Sequence, residues 1–215
     1  MIRISKTSKL DGVRSWSLQA RETCPGSIGP DGKLVGPCEG CYAYGGNYRF
    51  RNVREPRIEN REDWQRDGWV ADMVAELQND RFFRWFDSGD MYTIGLAEKI
   101  HAVMVATPWV RHWLPTRMHK FPKFADVLAR MRALPNVMVR ASSDSVTGEY
   151  VAGVHGSTIV PSIDDVPAGA TLCAAANNAG KCGPCRACYS KDVAVVAYVA
   201  HGRSMAKVVR AQVAA

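Results

Sequence analysis

The seven cysteines of this 215-residue chain constrain its fold more than any other feature. They fall into a first group, Cys24, Cys38 and Cys41, and a second group, Cys173, Cys182, Cys185 and Cys188. An odd number of cysteines cannot all pair within one chain. In a reducing compartment, clustered cysteines hold a metal or carry redox chemistry more often than they form disulfides. The sequence therefore predicts that all seven are metal ligands.

Nothing at the start of the chain indicates export. Residues 1–6 lack the long apolar core of a signal peptide, and no later stretch reaches the roughly 20 apolar residues that cross a bilayer. We expect a cytoplasmic protein that does not bind a membrane, in which the thiols stay reduced.

The second cysteine group has the more specific spacing. Its last three members follow a C-x₂-C-x₂-C pattern, by which ferredoxin-type loops wrap a [4Fe–4S] cluster, and Cys173 can supply the fourth sulfur. The alternative metal is zinc, because zinc ribbons also use C-x₂-C pairs. A ribbon usually presents two separated pairs, so three cysteines in one run favour iron–sulfur.

The first cysteine group offers three thiolates. Two residues separate Cys38 from Cys41, which lets a tight turn aim both sulfurs at one metal, whereas thirteen separate Cys24 from Cys38. Glycines and prolines surround all three cysteines, as a backbone folded closely around a cluster requires. Three ligands leave one coordination position open.

Strand-like and helix-like segments alternate along the chain. The strand-like runs are 15–18, 82–87, 110–114, 137–140, 157–160 and 193–199, and the helix-like runs are 69–77, 94–105 and 121–134. Alternation of this kind predicts an α/β fold with parallel strands. A full eight-unit barrel needs about 250 residues, so we expect a partial (β/α)₆ barrel, with an open doubly wound sheet as the alternative.

We expect this barrel to span residues 1–165 and to carry the first cysteine group. Residues 166–215 then form a C-terminal cysteine-rich segment, with the last strand and a helix, packed on the same domain.

A net charge of +7 and a sequence pI near 9.1 make a nucleic acid a possible partner. The stretch 49–66 holds six arginines, but acidic residues are interleaved with them. The pairs Arg51/Glu55 and Glu62/Arg66 have the spacing of a solvated helix face, which is the favoured interpretation. An anion-binding surface is the alternative.

The loop after the first strand, with Cys41 followed by Tyr42, resembles that of radical S-adenosylmethionine enzymes, although their first gap is three residues. The resemblance implies an open [4Fe–4S] cluster at the first group and an auxiliary one at the second. It implies that S-adenosylmethionine binds at the cluster and yields a deoxyadenosyl radical. The segment Asp87-Ser88-Gly89-Asp90 resembles the Gly-Gly-Glu motif of these enzymes. The cofactor-binding residues implied are Ser88, Gly89, Asp90, Arg140, Ser142 and Asp144.

Nearly the whole chain is similar to an actinobacteriophage family named for gene product eighty-eight. The shared features are Lys6-Thr7-Ser8-Lys9, Thr23-Cys24-Pro25-Gly26, Cys41-Tyr42-Ala43, Ser88-Gly89-Asp90, and the late cysteine run before a hydrophobic strand and His201. This resemblance implies a phage protein in the bacterial cytoplasm, with no known reaction or substrate. The rival to a radical enzyme is a non-catalytic iron–sulfur or zinc protein that binds nucleic acid or a host protein.

Overall fold

The computed structural model describes residues 2–214, which fold around one eight-stranded sheet. Its strands are β1 (Ile4–Lys6), β2 (Arg14–Trp16), β3 (Phe82–Trp85), β4 (Arg111–Thr116), β5 (Val137–Ser142), β6 (Gly156–Val160), β7 (Ala170–Leu172) and β8 (Val195–Val199). The strand order is β1-β2-β3-β4-β5-β6-β8-β7, and only β1 runs antiparallel to its neighbour. All six predicted strands are present, and the α/β prediction is confirmed. The predicted number of six strands was wrong, because the sequence pattern missed β1 and β7.

From β2 to β6 the sheet grows in one direction, each strand lying beside the one before it in the sequence. Right-handed crossovers between such strands put the connecting helices on one face. The core there is built by side chains from β2 to β5 together with α3 (Trp69–Glu76), α4 (Ile94–Ala106) and α5 (Ala125–Ala133). The strand pairing gives an open sheet order with β1 and β7 as the edge strands. The partial barrel therefore stays a prediction.

Local chemistry sets where these helices begin. The Thr93 hydroxyl accepts a hydrogen bond from the Leu96 amide at 3.2 Å, which caps α4. Within α4, Leu96, Ile100 and Val103 recur at helical spacing and are fully buried. The predicted helix 121–134 begins later, at Ala125, because Pro122 opens a separate 3₁₀ turn.

The opposite face of the sheet carries the second cysteine group. Along β3, Phe83 and Trp85 point to the helices, whereas Phe82 and Arg84 point the other way. On that face Trp113, Met138 and Tyr189 form a small core, against which Cys182, Cys188, Phe82 and Tyr198 pack. The cysteine-rich segment therefore covers the face that the helices leave free.

Helix α2 (Arg51–Asp63) buries polar groups instead of an apolar stripe. The Arg57 guanidinium donates to both carboxylate oxygens of Asp87, at 2.9 and 3.0 Å, as a buried ion pair. Arg51 pairs with Glu55 as predicted. The predicted Glu62/Arg66 pair was wrong, because Arg66 pairs with Asp63 and Asp72.

Helix α6 (Arg203–Val213) closes over the first cysteine loop. A Cβ atom at Gly40 would lie 2.9 Å from the Met205 side chain, and one at Gly36 would lie 2.7 Å from Gln212. Glycine is needed at position 40, where the Met205 Cα is also only 3.0 Å away, whereas the Gln212 side chain beside Gly36 is flexible and can move.

Within residues 2–214, no helix combines the length and the apolar character that a membrane span requires.

Candidate functional site

The loops that follow β2, β3, β4 and β5 meet at the carboxyl edge of the sheet. The loop after β2 carries the first cysteine group, and Asp90 follows β3, Arg117 follows β4 and Asp144 follows β5. The amide of Asp90 donates to the Thr23 carbonyl at 3.0 Å, which fixes the second loop to the first beside Cys24. Ligand sites of parallel α/β folds lie at this edge of the sheet.

Short turns position the three thiols of the first group. Cys24 precedes a 3₁₀ turn, Cys38 lies in α1 (Gly36–Glu39), and Cys41 follows that helix. Burial raises the pKa of Cys24 to about 12, helped by the Asp90 carboxylate and then by Cys38 and Cys41. Burial also raises the pKa of Cys38, opposed by the nearby Arg117 guanidinium. The three thiols thus lie close enough to act on one another.

Close backbone contact holds this loop against the loop after β4. A Cβ atom at Gly26 would lie 2.5 Å from the Arg117 Cβ, so only glycine fits there. The Lys120 ammonium donates to the carbonyls of Gly26 and Ile28 at 3.1 and 3.3 Å. Sequence reasoning missed Lys120, because a lysine in a 3₁₀ turn carries no distinguishing signal.

Asp90 is buried and strongly hydrogen-bonded. One carboxylate oxygen accepts from the Thr116 hydroxyl and the Met91 amide, both at 2.8 Å, and the other accepts from the Arg117 amide at 2.8 Å. Burial raises the pKa of this carboxyl to about 6, against the lowering effect of these donors. The second carboxylate oxygen can still accept one further hydrogen bond.

Ser88 and Gly89 shape the loop that presents Asp90. The Ser88 hydroxyl donates to the Leu18 carbonyl at 2.7 Å and accepts from the Arg57 guanidinium at 2.7 Å. Gly89 has a φ of 79°, and a Cβ atom there would lie 2.6 Å from Leu18. Both residues therefore fix backbone geometry.

Asp144 bridges two cations at the rim of the same edge. Its carboxylate accepts from Arg117 at 3.1 Å and from Lys120 at 2.6 Å, and its side chain is 39% exposed. Arg117 and Lys120 both act on the pKa of Cys38, so this cluster stands beside the first cysteine group. Ser142 ends β5, half-buried, in register with Ser157 of β6.

All four cysteines of the second group line one small cavity of about 20 Å³. Leu10, Arg186, Tyr189 and Val196 complete much of its wall. The Cys182 amide donates to the Lys9 carbonyl at 2.9 Å, which ties this loop to the segment after β1. Residues far apart in the sequence, 173 and 188, thus face the same space.

Arg140 holds this second loop in place. Its side chain is fully buried, and its five N–H groups donate to the carbonyls of Gly156, Ala187, Cys188, Ser190 and Ala194 at 2.9–3.3 Å. A guanidinium has five such donors, so each one is used. The structure therefore gives Arg140 a role at the second cysteine group.

Tyr198 of β8 touches the same loop. Its hydroxyl lies 3.2 Å from the Cys188 sulfur. Burial raises the pKa of Cys188 to about 11, opposed by this hydrogen bond.

The seven cysteines are free thiols, one buried and six half-buried. In residues 2–214, no three or more His, Cys, Asp or Glu side chains stand at the spacing of a formed metal site. The thiols of each group are gathered, but their sulfurs do not converge on a single point.

Comparisons with known proteins identify a family but no reaction. The family model described as gene product 88 matches residues 3–166, about three quarters of the chain, and includes the first cysteine group but ends before Cys173. No curated protein and no solved structure matches the chain, so the resemblance to radical S-adenosylmethionine enzymes gains no support there. The family match confirms the kinship with phage gene products that the sequence motifs predicted: the chain belongs to the gene product 88 family.

Proposed function

We propose that this protein is an iron–sulfur protein of the radical S-adenosylmethionine type, with an open cluster site at Cys24, Cys38 and Cys41 and a closed one at the second cysteine group. The observation that carries the proposal is the gathering of three thiols at the carboxyl edge of a parallel sheet, beside the buried carboxylate of Asp90. The one-directional strand order from β2 to β6 is also the order of a partial barrel.

The second group fits a metal by its donor set and its charge. Four thiols line one cavity, which is the ligand set of both a four-iron cluster and structural zinc. Arg140 places a buried positive charge behind the loop, and its acceptors are all neutral carbonyls. An isolated buried charge is costly, so the negative charge of a thiolate-bound metal offsets it.

A cavity of about 20 Å³ holds a single water-sized atom. Either metal requires the four sulfurs to move towards one centre, and a four-iron cluster requires the loop to open further around it. The run of three closely spaced cysteines favours iron–sulfur, and zinc is the alternative.

The first group fits a site with an open position, because it offers three thiols and no fourth. Cys24 and Cys38 are in surroundings that keep bare thiols protonated, and a bound metal reverses that preference by stabilising the thiolates. The chemistry that such a cluster supplies when bound is one-electron reduction of S-adenosylmethionine.

The residues around the first group would bind and orient that ligand. Asp90 keeps one acceptor position for an ammonium group. Arg117 and Lys120 place two cations beside Cys38 with a single carboxylate between them, so they can bind the carboxylate of an amino acid. Ser88 and Gly89 position Asp90, and Arg140 positions the second loop. The substrate is not identified by these residues.

Anaerobic purification followed by iron, sulfide and zinc analysis tests the proposal. Two four-iron clusters predict about eight irons and eight sulfides per chain, and S-adenosylmethionine should change the electron paramagnetic resonance spectrum of the reduced protein. Stoichiometric zinc without sulfide would refute the iron–sulfur assignment. An unchanged spectrum with both clusters intact would favour the non-catalytic alternative.

A further inference from the structure

Three aromatic side chains stand exposed next to the first cysteine group. Tyr42, Tyr44 and Phe50 are 53%, 57% and 60% exposed, and they are three of the nine large hydrophobic side chains that the described residues expose. Tyr42 and Tyr44 lie in a 3₁₀ turn that packs against the turn Gly46–Arg49, after which Phe50 precedes α2. Single exposed hydrophobic residues are ordinary, but a concentration of three in nine residues indicates a binding surface.

Two arginines without a carboxylate partner lie beside these rings in the sequence. Arg49 and Arg54 are exposed, and neither forms an ion pair with another described residue. Two acidic side chains of the same region are occupied, since Glu55 pairs with Arg51 and Glu22 pairs with Arg61. The surface therefore has an excess of positive charge beside its aromatic rings.

Arg21 adds a cation that lies directly on one ring. Its guanidinium carbon is 3.6 Å from the centre of the Tyr44 ring. The Arg21 backbone has a φ of 68°, which is uncommon for a residue other than glycine and costs conformational energy. Its Nε is buried and has no hydrogen-bond partner among the described residues. The chain thus holds an arginine with an uncommon backbone conformation against an exposed tyrosine.

We propose that this surface, made of Tyr42, Tyr44 and Phe50 with Arg21, Arg49 and Arg54, binds single-stranded nucleic acid. Aromatic rings stack on bases, arginines contact phosphates, and this combination recurs in proteins that bind single strands without sequence readout. A duplex hides the faces of its bases, so it cannot use the rings. The inference is independent of the metal content of either cysteine group.

Fluorescence anisotropy with a labelled oligothymidylate of about 15 nucleotides, within the range of single-strand sites, tests this proposal on the full chain. The probe should bind more tightly than a duplex of equal length. Arg49→Gln combined with Arg54→Gln should weaken binding about tenfold and reduce the log–log salt slope by about 1.4, at about 0.7 per phosphate contact. Tyr44→Ala combined with Phe50→Ala should weaken binding by about tenfold or more through lost stacking.

Matched controls use exposed residues elsewhere. Arg203→Gln combined with Arg210→Gln removes the same charge from α6, and Tyr150→Ala removes an exposed ring. These variants should bind as the unmodified protein does, and circular dichroism should show all variants folded. Three results would overturn the proposal: no binding at low salt, equal weakening by the control variants, or equally tight binding of an abasic strand of the same length.

Discussion

Replacing Arg140 by methionine removes the group that fastens the second cysteine loop to the sheet. The change keeps an apolar side chain in the same space but removes the guanidinium donor from five carbonyl oxygens, of which those of Ala187 and Ala194 keep a backbone amide donor. Hydrogen bonds to a charged group contribute about 1.5–3 kcal/mol each, but the cost of burying the charge offsets much of their sum. We expect a net loss of about 3–5 kcal/mol, because a carbonyl left without a donor costs about 1–3 kcal/mol and relief of the charge burial offsets part of the sum.

Equilibrium urea unfolding followed by tryptophan fluorescence measures this loss. Hydrogen exchange should show faster opening across residues 187–194, because four of the five acceptor carbonyls lie there. Arg111→Met is the matched control, since Arg111 is exposed at the start of the neighbouring strand, and it should cost less than about 0.5 kcal/mol. If Arg140→Met unfolds at the same urea concentration as the control, the guanidinium does not hold the loop.

Three further predictions concern other buried groups. Burial lowers the pKa of His112 to about 3, below the value near 6.5 in the unfolded chain. The unfolded chain therefore binds the proton first, and the free energy of unfolding should fall as the pH drops from about 6.5 towards 3. At about 1.36 kcal/mol per pH unit, the loss at pH 5 is about 2 kcal/mol. Urea unfolding at pH 7 and 5 should show this loss, His112→Phe should show a flatter dependence, and equal slopes would contradict it. On the proposed assignment of a closed metal site to the second cysteine group, metal binding there would contribute folding free energy. Cys185→Ala should then give insoluble or thermally fragile protein, whereas Cys38→Ala should stay soluble and lose cofactor binding; the reverse pattern would exchange the two roles. Tyr198→Phe removes the hydroxyl that lies 3.2 Å from the Cys188 sulfur. Because hydrogen bonds to ligand sulfurs tune the reduction potential of a cluster, a redox titration of the proposed second cluster should give a more negative potential in this variant. An unchanged potential would exclude a hydrogen bond to that sulfur in the cluster-bound protein.

The strands that the sequence reveals are those with enough length to show a pattern. Runs such as Val137–Ser142 alternate between two buried faces, whereas Ile4–Lys6 and Ala170–Leu172 have only three residues each and no repeat to recognise. The gathering of Cys182, Cys185 and Cys188 could also be predicted, because gaps of two residues limit how far apart those thiols can lie.

The partners of Arg140 and Lys120 could not be predicted in the same way. Both side chains donate to backbone carbonyls, and every residue type carries a carbonyl, so no residue type marks the acceptor. Most acceptors of Arg140 lie 47–54 residues away in the sequence, and only the folded topology brings them to β5. The partner of Asp87, Arg57, was hidden among arginines that look solvated.

The fastening of β5 to residues 187–194 also bears on the order in which the chain can fold during synthesis. Arg140 leaves the ribosome about fifty residues before four of the five carbonyls that accept its hydrogen bonds. Until those residues emerge, β5 carries a guanidinium that has to stay hydrated, so the sheet cannot close its second face from the amino-terminal part alone. Residue 166, where the family match ends, therefore lies inside a folding unit, and a chain stopped there would lack the acceptors for Arg140 and the α6 cover of the first cysteine loop.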